Sequence, residues 1–400
     1  MTISTTQIFR QGINAVLDQQ EGLSRTQLEI ASGKRIQTPS DDPSGAVKSI
    51  DIKEQIATAE QHLRNGDFAR TELSLEEGAM TGAQNVLQRV RELMIQANND
   101  TQSESTRQGI ATEIRARRDE LLALANARNA SGDFLFAGFK LDSQPFSLSG
   151  GSVVYSGDQG QRRIQVGPSS LVPVSDSGVD VFQLIKTGNG KLAVDNTVAN
   201  TGSGVVKSLS QNSSFTSDTY TLSFIQLAPT DPITYEVRDS SAALVSSGNY
   251  VTGDSIAFNG ITMVVDGEPD NGDSFTVSPS TNQDVFTTLN NIIAALEAPS
   301  TFLADNARLH NDMNEGLENI DRGLDNILRI RSNIGSRLNN LDSQSEVNEN
   351  FLLRMKSAIS EIQDLDFAEA ISRLSSQATS LEAAQKVFIE VQGLSLFDFL

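Results

Sequence analysis

The stretch Met313-Asn-Glu-Gly-Leu-Glu-Asn-Ile-Asp-Arg-Gly-Leu-Asp-Asn-Ile327 puts an apolar side chain at every third or fourth position. The same spacing continues through Ile334, Leu338 and Leu341 and returns at Leu352, Met355, Ile359 and Ile362. Steps of four and three keep these side chains in one narrow stripe along a helix. Arg331, Ser345 and Asn348 interrupt the stripe without shifting its register, and no proline follows Pro299. At ~1.5 Å rise per residue the helix runs for roughly 75 Å. Such a stripe leaves its seam in water unless another helix covers it. The cover is either a long-helix core within one chain or a shared coiled coil. Similar stripes at both ends of the chain favour the second.

The composition suits elongated helices. Hydrophobic residues make up 38% of the 400 positions and tryptophan is absent, a lean supply for a compact enzyme core. The formal net charge of −20 argues against nucleic acid, which needs a basic partner surface, and equally against an anionic membrane surface. Without cysteine the chain can form no disulfide, thiolate nucleophile or cysteine-based zinc site. The start, Met1-Thr-Ile-Ser-Thr-Thr6, lacks the basic segment and apolar core of a cleavable secretory signal. The apolar run Ile292–Leu296 is far too short to span a membrane.

Proline and glycine divide the chain. None of the 10 prolines falls between Ser44 and Gln144, whereas more than half of the 29 glycines lie between Gly138 and Gly272. All 4 tyrosines fall in that same interval. The reading is an α+β protein: long helical coiled-coil arms from both termini enclose a β-rich insert. The expected segments are an N-terminal assembly helix and loop (1–43), a helical arm (44–140), the β-rich insert (141–283), a long helical arm (284–365) and a C-terminal assembly helix (366–400).

The first helix has the seam Ile13, Val16, Gln20, Leu23, Gln27 and Ile30. It stops at Ser32-Gly33, glycine being a common helix stop. A turn-rich loop through Pro39 and Pro43 leads into a helix over 44–97, with a break at Asn98-Asn-Asp100. Ser105 and Gln108 have capping-box spacing for a further helix over 106–131. Within the insert, Tyr220/Leu222/Phe224, Ile233/Tyr235/Val237 and Ile261/Met263/Val265 alternate with polar residues, the mark of strands. Val153–Tyr155, Ile164–Val166, Leu171–Val174 and Phe275–Val277 are shorter candidates, and 187–218 reads as a loop or irregular layer. A short helix over 285–296 precedes the long one. Gln363-Asp-Leu-Asp366 interrupts that helix, and Asp366 with Glu369 can cap the last. The last seam is Leu374, Ala378, Leu381, Gln385, Phe388 and Val391. Both terminal stripes are narrow, so helices there are marginal alone and are expected to order on assembly.

No constellation favours catalysis or a metal. Asp41-Asp42 precede a helix, where acids favour the N-terminus. Asp266-Gly-Glu-Pro-Asp-Asn-Gly-Asp273 lacks the glycine and glutamate that a calcium loop places at its sixth and twelfth positions. Gly188-Asn-Gly-Lys191 lacks the spacing of a phosphate cradle. His62 and His310 stand alone among polar neighbours. The expectation is therefore no enzyme, no cofactor, no nucleic acid and no membrane.

Leu28-Glu-Ile-Ala-Ser-Gly-Lys-Arg-Ile-Gln-Thr-Pro-Ser-Asp-Asp-Pro-Ser-Gly-Ala46 resembles the N-terminal signature of the flagellin-like family, with Ser32, Gly33, Asp41, Asp42 and Gly45 as its signature loop. Gln88–Asn98 resembles that family's second helix, and Ile362–Ala370 through Leu400 is similar to its C-terminal helix. Filament flagellins usually follow the double Asp with alanines; here Pro43-Ser-Gly-Ala-Val47 stands instead. Gly393–Leu400 and Tyr155–Gln161 are similar to members that sit between hook and filament. The resemblance implies a structural adaptor, exported without a cleaved signal and located in the extracellular flagellum. Its implied partners are further copies of itself in a ring or helical layer, a hook-associated neighbour on the hook side, flagellin on the filament side and an export chaperone. The implied assembly interface is Ile13, Val16, Leu23, Ile30, Leu374, Ala378, Leu381, Phe388 and Val391. A filament flagellin, or a type III needle-tip or adhesin protein, are the alternatives.

Overall fold

The computed structural model describes residues 5–228, 230–299 and 302–393, with Thr5, Thr6, Ile8, Phe9 and 391–393 described as backbone only. The expectations for Met1–Ser4, Leu394–Leu400 and the Val391 side chain lie outside the described residues. In chain order the helices are α1 (Thr5–Ser32), α2 (Pro43–Ala97), α3 (Glu104–Ala125), α4 (Val285–Glu297), α5 (Leu303–Gln363) and α6 (Phe367–Gly393). Between α3 and α4 lie β1 (Phe146–Ser149), β2 (Ser152–Tyr155), β3 (Arg163–Gln165), β4 (Leu171–Pro173), β5 (Ile185–Lys186), β6 (Leu192–Asn196) and β7 (Val205–Gln211). They are followed by β8 (Tyr220–Ile225), β9 (Thr234–Arg238), β10 (Leu244–Asn249), β11 (Ser255–Phe258), β12 (Ile261–Asp266), β13 (Ser274–Pro279) and β14 (Asn282–Gln283).

The chain forms two compact units. One holds the chain up to Arg64 together with everything from Ser343 on; the other is Asn65–Asp342. Both α2 and α5 contribute to each unit.

In the larger unit the stripe on α5 finds its cover. Met313, Ile320, Ile327, Ile334 and Leu341 are buried in one core with Leu73, Met80, Leu87 and Met94 of α2, Ile110 and Ile114 of α3, and Leu289 and Ile292 of α4. Phe146, Phe182 and Phe286 close the same core, with ring centroids 5.5–6.1 Å apart. Residues of the expected insert thus divide between two cores. Phe146, Val166, Val172, Val174 and Phe182 pack with the helices. A second core gathers only Leu192 to Val277.

That second core lies between a five-stranded sheet, order β10-β9-β8-β13-β6, and a three-stranded sheet, order β11-β12-β7, all antiparallel. Tyr220, Leu222 and Phe224 alternate inward on β8, and Tyr220 meets Phe258 of the facing sheet at 5.4 Å between ring centroids. The β11–β12 hairpin turns on Asn259 (φ 40°) and Gly260 (φ 80°), left-handed positions that a two-residue hairpin requires. A Cβ on Gly260 would stand 2.5 Å from the Phe215 amide nitrogen.

The structure corrects several expectations. Residues 187–218 hold β6 and β7; their serine- and asparagine-rich sequence hides strands that are only half buried. β1, β10 and β11 also fall outside the expected strands. Helix α3 is capped by Ser103, whose Oγ accepts from the Thr106 amide at 3.2 Å, not by Ser105. It ends at Ala125 rather than near Ser131, because Asn126 turns to β1: its Nδ2 donates to Phe146 O and its Oδ1 accepts from Phe146 N.

The sandwich enters and leaves through one paired point, where Ser280 N donates to Lys191 O and Thr187 N to Thr281 O. Its core is separate and its ends adjoin. A fragment spanning 187–281 is therefore expected to give a cooperative thermal transition by circular dichroism; a gradual, non-cooperative melt would contradict this.

Candidate assembly surfaces

The smaller unit contains the signature loop and the terminal helices. Helix α1 ends at Ser32, and Gly33 takes φ +68°, a conformation costing other residues roughly 1–2 kcal/mol. Asp41 then organises the loop. Its Oδ2 accepts from the Thr38 and Gln37 amides at 2.8 and 3.0 Å, and its Oδ1 accepts from Arg25 Nη2 at 2.6 Å. Asp42 is the N-cap of α2: its Oδ1 accepts from the Gly45 amide at 2.9 Å. Pro43 occupies the first helical position, where its missing N–H costs nothing. The Thr38 and Gln37 amides hold the Asp41 carboxyl below the usual carboxylate range, and the Gly45 amide does the same for Asp42. A side chain at Gly45 would displace the capping carboxylate, since a Cβ would lie 2.5 Å from Asp42 Oδ2 and 2.7 Å from Ile36 Cδ1.

The loop is tied to the break between α5 and α6. Arg35 N donates to Gln363 O at 2.8 Å, Leu365 N to Gly33 O at 3.1 Å, and Arg35 Nη2 to Ile362 O at 2.9 Å. Gln363 Nε2 reaches Ser49 Oγ at 2.8 Å, in a buried contact. Asp366 Oδ1 accepts from the Ala368 and Glu369 amides, opening α6 as its spacing implied. The two chain breaks are thus joined by backbone hydrogen bonds, and α1 and α6 leave from one point. Replacing Gly33 with Ala is expected to lower the exchange protection of the Leu365 amide about 5- to 30-fold, the equivalent of its roughly 1–2 kcal/mol strain. An unchanged Leu365 amide would count against the clamp.

From this clamp α1 and α6 pair antiparallel. Glu29 meets Arg373 at 3.0 Å near the clamp, and Gly12 lies against the Phe388 ring at the far end. Val16, Leu23 and Ile30 are half buried, as are Leu374, Leu381 and Phe388; Ile13 is at the boundary, 36% exposed. Ala378 lies on the exposed side, and Gln377 and Ala384 take the intervening seam positions. Glu29 is buried in the seam between Arg25 and Arg373, and a polar pair inside a seam fixes its register. Among the described residues, apolar side chains outside the seam stay exposed: Leu17 and Leu28 on one face of α1, Ile371 and Ile389 on one face of α6, and Val387 on the other flank of α6, all 55–65% exposed.

Sequence reading located Asp41, Asp42 and Gly45 but missed Arg25, Glu29, Arg35, Gln363 and Arg373. Their partners lie as far as 344 positions away, beyond the reach of local periodicity. The other candidates have internal partners. Asp273 accepts from the Thr201, Gly202 and Asp270 amides, so the calcium-like loop is a backbone-organising turn. Asn189 Oδ1 accepts from the Lys191 and Leu192 amides, and His310 contacts Asn98 and Asp100.

The bacterial flagellin N-terminal helical region matches residues 3–140, and the bacterial flagellin C-terminal helical region matches residues 317–400. The flagellar hook-associated protein 3 of Escherichia coli is 26% identical over 401 residues, covering 99% of each chain. The crystal structure of flagellar hook-associated protein 3 from Legionella pneumophila has 36% identity and a TM-score of 0.75, covering 78% of this chain and 98% of that one. The flagellin of Bacillus subtilis is 32% identical over 168 residues, 41% of this chain and 53% of its own. A match to flagellins at the two ends, joined to near-full-length similarity through the β region, places the chain in the flagellar hook-associated protein 3 (FlgL) family.

Proposed function

We propose that this chain is a structural junction protein of the bacterial flagellum, joining the hook region to the flagellin filament. The observation that carries this reading is the clamped α1–α6 hairpin. It covers one apolar stripe internally and leaves an outer surface bearing Leu17, Leu28, Ile371 and Ile389 for neighbours. Further copies of the chain would cover that surface in a ring or helical layer. A hook-associated protein would meet it on the hook side and flagellin on the filament side. The acidic, cysteine-free chain suits export through a narrow channel without a cleaved signal, held by a chaperone until it leaves. The reading gives the chain no catalytic role.

Electron microscopy of cells lacking the chain tests it. Bare hooks with flagellin released to the medium are expected, and re-expression should restore filaments. Filaments of normal length on such cells would overturn the proposal. Filaments built from this chain itself would favour a flagellin.

A further inference from the structure

The β-sandwich rests on α5 through polar contacts. Asn311 works on the free edge of β7, its Oδ1 accepting from the Val206 amide at 2.8 Å and its Nδ2 donating to Gly204 O at 3.0 Å. Asn314 Nδ2 donates to Val206 O at 3.2 Å, Asn196 Nδ2 to Asp312 Oδ1 at 2.9 Å, and the Gly188 amide to Asn319 Oδ1 at 2.7 Å. Water can replace each of these bonds at small net cost, so the seat is held by geometry more than by buried apolar area.

Glu315 stands in the middle of this seat. It borders a small cavity of about 50 Å³ beside Val206 and Leu209 of β7, and also a cavity of about 360 Å³ lined by Thr288 and Asn291 of α4. Asp195 of β6 and Asp312 and Glu318 of α5 are the charges that act on it. Lys207 of β7 borders the small cavity, but its Nζ pairs with Asp266 at 2.5 Å. The cavity-lining residues of α4 bring no charge. Arg308 acts on Asp312 and Arg322 on Glu318. Next to Glu315, Gly316 lets α5 approach its neighbours so closely that a Cβ would lie 2.7 Å from Met94 Cε and 2.8 Å from Ile292 Cγ1. Helix α5 is locked there by its close packing, and Glu315 is half buried.

We propose that Glu315 is a proton-operated latch that seats the β-sandwich on α5. With its proton, the carboxyl shares the seam with Asp195 and Asp312 without like-charge repulsion. Without it, a third carboxylate joins those of Asp312 and the exposed Asp195 beside a half-dehydrated seam. Because α5 is locked, the repulsion is relieved on the sandwich side, where the asparagine bonds exchange for water. Burial, then Asp195 and Asp312, push the Glu315 carboxyl up to about 7. An acid raised when seated binds the seat's proton between its ordinary value and about 7, so seating weakens as pH rises through that window and levels off above it. The latch does not depend on the junction role.

Hydrogen exchange on the full chain, read as protection factors from pH 5 to 8, tests this. The Val206 and Gly188 amides are expected to lose at least about tenfold protection between pH 5 and 7, the linkage of one proton over one or more pH units, and to stay level above. The Phe224 amide, bonded to Asp273 O within the sandwich, should not change. Glu315→Gln should hold Val206 and Gly188 at their acid level throughout, and Asp195→Asn, which removes one of the charges raising the seated carboxyl, should make the loss smaller and end it at lower pH than in wild type. Identical profiles in wild type and E315Q, or a loss shared equally by Phe224, would overturn the proposal. If E315Q fails to fold, the D195N profile decides alone: no movement relative to wild type overturns it.

Discussion

Replacing Arg337 with Ala is expected to lower the stability of the larger unit by about 3–5 kcal/mol, the cost of stranding a buried charge. Arg337 forms a two-pronged pair with Asp176, both contacts at 2.9 Å, and both side chains are largely buried. The surroundings are acidic: Glu72 and Glu76, one turn apart on α2, are 3% and 1% exposed. Arg162 Nη2 and Asn129 Nδ2 serve Glu72, each at 3.0 Å, and the Asp176 amide serves Glu76 Oε1 at 3.1 Å. Glu76 Oε2 is buried without a partner. Burial, then the charge of Asp176, raises the Glu76 carboxyl well above the usual range. With Glu76 protonated, two arginines balance Glu72 and Asp176; without Arg337 an unpaired Asp176 faces Glu76. The denaturation midpoint in urea should fall with little change in slope. Arg337→Lys should recover only part of the loss, because an ammonium cannot reproduce the fork.

The same cluster sets a pH dependence. A carboxyl raised in the folded state binds a proton there that the unfolded chain releases at ordinary Glu values. Its contribution is complete below that ordinary value and is lost as pH rises toward the folded one. Glu76→Gln keeps the neutral form at every pH, so it should remove that part of the slope and leave stability at neutral pH equal or higher. A Glu76→Gln variant several kcal/mol less stable at pH 7 would show that the carboxylate, not the acid, fits the site.

The second large effect concerns assembly. Replacing Ile371 and Ile389 together with Asp is expected to abolish incorporation into the flagellum while leaving the monomer folded. These side chains are 56% and 65% exposed, so the change removes nothing from the α1–α6 seam. In an assembled layer each would bury an apolar side chain, about 1.5–3 kcal/mol apiece, and an aspartate there leaves an unpaired carboxylate out of water. Cells carrying the variant should export the chain yet be non-motile, with bare hooks. Swimming at wild-type rates would remove this face from the interface. The seam itself is half exposed on both helices, so little apolar area opposes opening. In the free monomer the Leu23 and Leu381 amides are therefore expected to exchange far faster than those of Leu87 or Ile320. Equal protection would mean that the hairpin is stable without neighbours.

Much of the architecture was readable because the same signals act locally. The 3.6-residue stripe from Met313 to Ile362 identified α5, the Ser32-Gly33 stop ended α1, and Asp366 with its spacing opened α6. Each depends on residues within one or two turns of one another. The strands of 187–218 were not readable, since β7 is an edge strand that pairs with β12 on one side and at Val206 meets Asn311 and Asn314, about a hundred positions on, on the other. The site divides in the same way. Asp41, Asp42 and Gly45 act on amides three or four residues away, and their spacing alone marks them.

By itself the sequence determined helical arms around a β region, the positions of the helix breaks, and an acidic, cysteine-free chain with seams at both ends. Only the tertiary structure decided that the two breaks clamp together through Arg35 and Gln363, that the first third of the β region joins the helical core, and that Ala378 faces out while Gln377 faces in. Periodicity defines which side chains share a face. Which face is covered depends on partners hundreds of residues away, brought near only when the chain has folded.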